Sequence, residues 1–345
     1  MKNRILLILI FWGYGIFVYA QNPYDDPSLT IVYQDDFNTF NSSRWEIGDN
    51  QVHCEGSNEE PQVYTSDNVY IDNGKLVLRT KRQDHAHPGN GDCYYIDHGG
   101  HKFTSGKVRG LQSYKYGYFE IYAKIPTGRG YWPAFWMWEE SSDTTDYWYN
   151  EIDVFEGNGC LTDSVTCNVH WNFESPKPEN LNNHGMVLNI PAINYSQHYH
   201  WYGMKWDPYE ISWYIDRQLV RTVSNNMEDV GIQNSMHIVI NSALFPYEWF
   251  CGTDATNIQV PNYMYVDTVN ICLFTCDDNT VVNEISNYNS FSYGIKKSIT
   301  LSEPSSLAYG QNIYLKATDF IELQSGFEAP LGSQLSLQIM ECTNY

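Results

Sequence analysis

Short runs in which apolar and polar residues alternate recur along the chain. In Tyr116 to Ile125, the residues Phe119, Ile121, Ala123 and Ile125 share one face, while Tyr118, Glu120, Tyr122 and Lys124 share the other. A period of two is what a strand with one buried face requires. The first face reads as core and the second as lining something wet. Similar runs lie at Lys75 to Thr80, Thr166 to Trp171, Tyr202 to Trp206, Met236 to Ala243 and Met264 to Ile271, and Glu210 to Val220 reads as a hairpin turning near Asp216. Clusters of Gly, Asn, Asp and Pro separate these runs, and no long segment shows helical periodicity. The pattern predicts an all-β fold of stacked antiparallel sheets.

At 345 residues the chain has room for one large β domain and a small appendage. Met1 to Ala20 carries Lys2 and Arg4, then an apolar run from Ile5 through Val18 that ends in Val18-Tyr19-Ala20. This reads as a signal peptide and implies a secreted protein, with no membrane insertion once it is removed. The run is interrupted by Gly13, Tyr14 and Gly15 and is short for a span of about 20 residues. Eight cysteines at 54, 93, 160, 167, 251, 272, 276 and 342 are compatible with structural disulfides after export. Cys160 and Cys167 bracket a segment short enough for a local loop. Asp277 to Ser290 is polar and linker-like, which leaves 291–345 as a small C-terminal β-rich unit. The net charge of −21 argues against nucleic acid and anionic membranes as partners, since both demand a basic footprint.

One segment concentrates chemistry. Asn150-Glu151-Ile152-Asp153-Val154-Phe155-Glu156 places three acids among apolar residues. On a regular strand Glu151 and Asp153 share a face and Glu156 points the other way, but a one-residue bulge near Val154-Phe155 brings all three together. The outer two are then about 13 Å of backbone apart, and long Glu side chains can lean together. A retaining glycosidase needs two carboxyl groups ~5 Å apart, one to attack the anomeric carbon and one to protonate the leaving oxygen. Glu151 and Glu156 suit that pair, with Asp153 orienting Glu151 and holding the proton on Glu156 by its charge. For the acid motif alone, a solvated acidic face or a calcium site is an equal reading. Just upstream, Trp132, Trp136 and Trp138 share a strand face. Trp132 and Trp136 are assigned to sugar contact, because indole faces stack on the C–H faces of sugar rings.

The pairing of Trp132-Pro133-Ala134-Phe135-Trp136 with Glu151-Ile152-Asp153-Val154-Phe155-Glu156 resembles glycoside hydrolase family 16, in the longer, bulged form of its laminarinase, agarase and carrageenase branches. The resemblance extends over most of Ile31 to Phe274, through Asp35-Asp36-Phe37-Asn38, Asn73-Gly74-Lys75-Leu76, Ser105-Gly106-Lys107, Tyr116-Gly117-Tyr118-Phe119-Glu120 and Val266-Asp267, which sets a catalytic domain at 24–276. It implies a β-jelly-roll sandwich of two antiparallel sheets with a concave substrate cleft, Glu151 as nucleophile, Glu156 as acid/base and Asp153 as assistant. It implies further that His170 stands near the leaving group, that Asn58 and Glu59 touch sugar hydroxyls, and that Lys107 holds a place where many laminarinases have Arg. No cofactor is required for catalysis. Asp267 and the backbone of Gly74 fall where the family often holds a structural calcium, with an ordinary strand-edge acid as the other reading. Tyr122 replaces a common Arg, and Asn241 to Trp249 lacks a Gly-rich loop found in many laminarinases.

The expectation is a monomeric, endo-acting hydrolase whose partner is a polysaccharide, with laminarin-type β-1,3-glucan first and the galactans agar, porphyran or carrageenan second. A transglycosylase would use the same acids. A non-catalytic sugar-binding jelly roll would need no acid pair, so the three intact acids count against it. The C-terminal unit, with Ile321 to Ala329 and Gly332-Ser333, resembles short β-rich segments appended to secreted bacterial proteins, for sorting, display or spacing.

Overall fold

The computed structural model of the chain describes residues 24, 29–55, 58–88, 100–139, 150–171, 182–183, 185–189, 194–225, 230–245, 258–274, 276, 279–282, 295–302, 307, 309–310 and 312–339. The segment read as a signal peptide lies outside them. Among the described residues the regular structure is strand, apart from 3-10 conformation at Tyr24 and at Ser66–Asn68. No described helix is long and apolar enough to cross a membrane.

Two large sheets, of ten and eight strands, form the jelly roll. The centre of the ten-stranded sheet is Gly117–Lys124, flanked by His200–Trp206 and Asn262–Phe274, all antiparallel. The eight-stranded sheet runs through Lys107–Tyr114, Met236–Leu244, Tyr131–Trp138, Glu151–Gly157 and Ser164–Trp171. Alternation decides what each strand gives to the space between them. Phe119, Ile121 and Ala123 from one sheet meet Phe135, Met137, Ile152, Val154 and Phe155 from the other in a single buried cluster with Trp206 and Trp213. Each large side chain so buried contributes about 1.5–3 kcal/mol.

Turn chemistry fixes the hairpins. Asp216 and Arg217 both have positive φ between Glu210–Ile215 and Gln218–Ser224, the twist a two-residue hairpin demands. Asn73 and Gly74 do the same (φ 50° and 68°), closed by paired hydrogen bonds between Asp72 and Lys75.

The second face of Gly117–Lys124 departs from expectation. Tyr118 and Glu120 are fully buried rather than wet. Arg217 folds over from the hairpin turn and grips Glu120 with two bonds, Nη2 at 2.8 Å and Nε at 3.2 Å. Asn270 and Tyr118 donate to the same carboxylate, and Tyr24 and Leu29 pack beside Tyr118.

The residues read as a linker also differ in part. Asn279–Val282 is a strand pairing with Ile295–Leu301, so the C-terminal unit begins before residue 291. Its four strands are all parallel. Asn312 lies opposite Gln334 and Ile299 opposite Ile321, the same offset of 22 residues. Gly310 and Gly332, both at positive φ, repeat at that spacing, as do Ile313 and Leu335. Two successive parallel pairings at an offset of 22 are the register of a coil stacked upon itself, while Asn279–Val282 joins at an offset of 19. The local Cys160–Cys167 bridge does not form: Cys167 is a buried free thiol, pushed up to about 11 by burial, while Cys160 and Cys276 are each disulfide-bonded.

Candidate active site

The bulge is present. Phe135 pairs with Phe155 and Trp136 with Asp153, so Val154 is the extra residue, and the same break appears against Ser164–Trp171 between Asp153 and Glu156. Val154 and Phe155 both sink into the core, which is the apolar force that holds the irregularity. From the opposite sheet, Trp213 Nε1 donates to the backbone oxygen of Asp153 at 2.8 Å. Gly157 ends the motif because a side chain there would meet Pro133 Cγ at 2.7 Å.

With the extra residue absorbed, Glu151, Asp153 and Glu156 share the face turned away from the core. Trp132 Nε1 donates to Glu156 Oε1 at 2.7 Å, and the Trp132 ring rests edge-on against Phe245. His170 stands directly opposite Glu151 in register, with Nε2 at 3.6 Å from both Glu151 Oε1 and Asp153 Oδ2. Asn168 Nδ2 lies 2.9 Å from the same nitrogen.

Electrostatics follows from that crowding. Burial pushes the Glu151 carboxyl well above the usual carboxylate range, and the charge of Asp153 adds to it. Burial likewise raises Asp153, reinforced by Glu156. Glu156 is raised by burial against the pull of the Trp132 hydrogen bond and of His170. Three carboxyl groups this close resist ionising together, so the proton the cluster holds belongs to the group as a whole. One ionised and one protonated carboxyl is the state that attack and leaving-group protonation need together.

A second network anchors the other tryptophan. Trp136 Nε1 donates to Asn241 Oδ1 at 2.7 Å, Asn241 Nδ2 to Tyr64 Oη at 3.1 Å, and Tyr64 Oη to Glu60 Oε2 at 2.8 Å. Gln62 donates to that carboxylate too. Glu60 is 5% exposed, and burial raises its carboxyl. Lys107 stands beside this network, its Nζ 5.5 Å from the Tyr64 ring, with burial lowering its ammonium and Glu60 opposing.

The structure thus brings together Glu151, Asp153, Glu156, Trp132 and His170, and sets Trp136 and Lys107 in the adjoining network. Asn58 and Glu59 form a two-residue strand, and their side chains lie outside the described residues. The acid that this loop ties into the Trp136 network is Glu60. Sequence reading missed it together with Gln62, Tyr64, Asn241 and Asn168, though Glu60, Gln62 and Tyr64 alternate as one strand face does.

Gly74 and Asp267 fare differently. The glycine serves the Asn73-Gly74 turn, and the Asp267 carboxylate is bound by the Lys75 ammonium and the Thr268 hydroxyl at 2.8 Å. A calcium ion takes six to eight oxygens, and a carboxylate already neutralised by an ammonium does not fit that set.

Comparison with known proteins adds independent findings. Residues 56–259 match the model for "Glycosyl hydrolases family 16". A glucan endo-1,3-beta-glucosidase A1 of Niallia circulans is 30% identical over 273 residues, covering 71% of this chain and 38% of that protein. A glucan endo-1,3-beta-glucosidase of Cryptopygus antarcticus is 29% identical over 200 residues, covering 56% of this chain and 69% of that protein. Among solved structures, the laminarinase catalytic domain of Thermotoga maritima MSB8 superposes with a TM-score of 0.57 at 25% identity, covering 72% of this chain and 99% of that one. The chain spans well under half of the length of the first curated relatives it matches.

Proposed function

The chain belongs to glycosyl hydrolase family 16, and from that membership and the geometry of the groove we propose that it is a retaining endo-β-glycanase hydrolysing internal bonds of a β-1,3-linked glucan. The observation that carries the reading is the bulged strand that aims Glu151, Asp153 and Glu156 to one side, with Trp132 bonded to Glu156. The names of the relatives support the glucan, as does the acidic balance of the chain, which suits a neutral polymer. Secretion through the N-terminal segment and action as a monomer complete the proposal.

The Glu151 carboxylate attacks the anomeric carbon while the Glu156 carboxylic acid gives its proton to the departing glycosidic oxygen. A glycosyl ester forms on Glu151 and the C–O bond to the leaving sugar breaks. Glu156, now ionised, removes a proton from water, and that water oxygen replaces Glu151 at the anomeric carbon with net retention. Asp153 biases the proton within the cluster, and the Trp132 N–H holds Glu156 in place through both steps. Reducing-sugar release from a panel of purified polysaccharides tests the substrate, and absence of activity on laminarin overturns the glucan. Azide added to Glu156→Ala should yield a β-glycosyl azide, whereas an α-azide reverses the two roles.

A further inference from the structure

Resting on the reading of this groove as a carboxylate catalytic centre, we propose that Glu151, Asp153 and His170 also form a site for a borderline divalent cation of the Zn2+ class, which inhibits by excluding substrate. The three residues each offer one ligand atom, and these atoms lie within 4.8 Å of one another. His170 Nε2 stands 3.6 Å from an oxygen of each acid. Ligands ~2.0–2.2 Å from zinc in a tetrahedral shell sit roughly 3.3 Å apart, so small side-chain movements close the site.

Two further observations point the same way. Asp153 is 3% exposed, and its Oδ2, the oxygen facing His170, has no hydrogen-bond partner. A buried acceptor left in that state is short of a positive partner. The His170 ring also presents the right nitrogen. Val169 N–H donates to Asn168 Oδ1 at 2.8 Å, which turns the Asn168 Nδ2 group towards His170 Nε2 as a donor. A cation that takes Nε2 displaces this single amide hydrogen bond, and metal ligation uses the neutral form of an imidazole.

The donor chemistry selects the ion. One imidazole nitrogen with two carboxylate oxygens suits Zn2+, Ni2+ or Cu2+, while Ca2+ and Mg2+ prefer shells of oxygen alone. The side chains of Glu151 and His170 are 23% and 24% exposed, so the ion enters from the groove side. A cation held there occupies the oxygen of Glu151 that attacks the sugar, and substrate and cation exclude each other.

Titration calorimetry of the whole chain with ZnCl2 tests the site, with MgCl2 and CaCl2 as comparisons. We expect one Zn2+ bound, binding at least about tenfold weaker in His170→Ala and in His170→Asn, which lack the only nitrogen donor, and unchanged binding in Glu156→Gln, which leaves all three ligands in place. In hydrolysis assays Zn2+ should raise KM with kcat unchanged, and EDTA should reverse it. Wild-type affinity in both His170 variants, no binding to the wild-type chain, or a fall in kcat at constant KM overturns the proposal. Circular dichroism of the variants separates a lost ligand from a lost fold. Because binding is read without substrate, a chain that takes Zn2+ through His170 yet hydrolyses no polysaccharide sinks the hydrolase reading and leaves the cation site standing.

Discussion

Glu120 and the Glu151–Asp153–Glu156 cluster are both carboxylates on strand faces turned away from the common core, one on each sheet. Glu120 is fully buried and has every partner a carboxylate can use: a bidentate arginine, an amide and a phenol. The cluster has no arginine or lysine bonded to it among the described residues, and Asp153 keeps an oxygen without a partner. A buried charge that is paired holds structure together, whereas buried charges set against one another store unfavourable energy that only a reaction or a ligand relieves. The two regions should therefore answer the same substitution with opposite signs.

The largest effect is on turnover. Glu151→Gln and Glu156→Gln should each lower kcat by at least about a thousandfold while sugar binding persists, measured by initial rates and by affinity electrophoresis. Glu120→Gln should leave kcat within a few fold. Its cost falls on stability, about 3 kcal/mol from stranding Arg217, read from urea unfolding midpoints; an equal loss of kcat without unfolding would break the comparison.

Next in size is the stability of the cluster variants. The carboxyls of Glu151, Asp153 and Glu156 lie above the usual carboxylate range in the folded chain, so the folded state binds more protons than the unfolded one as pH rises from about 4. Their contribution to stability is full below the unfolded value and is lost as pH rises through the raised folded values. Glu151→Gln should therefore be more stable than wild type at neutral pH, by about 1 kcal/mol, and the gain should fade towards pH 4. A destabilised Glu151→Gln at pH 7 would contradict the unpaired character of the groove.

Smaller effects sharpen the picture of how the groove is held. Trp132→Phe removes the donor to Glu156, whose carboxyl then rises further, and the alkaline limb of the kcat profile should move to higher pH with roughly a tenfold loss of activity. Tyr64→Phe cuts the chain from Glu60 to Trp136 and should raise KM a few fold with kcat nearly unchanged, a split seen by steady-state kinetics on a soluble glucan.

Residue identity and spacing alone determined the strand faces, the hairpin at Asp216, the bulge and the shared side of the three acids. Each follows from a local rule: a period of two, a twist that needs positive φ, one extra residue that restores parity. Other features depended on contacts distant in sequence, where local periodicity carries no information. Glu120 reads as wet until Arg217 folds across it. The ion pair of Asp267 with Lys75 and the path from Glu60 through Tyr64 and Asn241 to Trp136 likewise join residues far apart in the chain. The offset of 22 residues between strands of the C-terminal unit came from their parallel pairing, which joins residues a full turn of chain apart. A side chain's character is written in the sequence, and whether its charge meets a partner is decided by which strands the fold lays beside it.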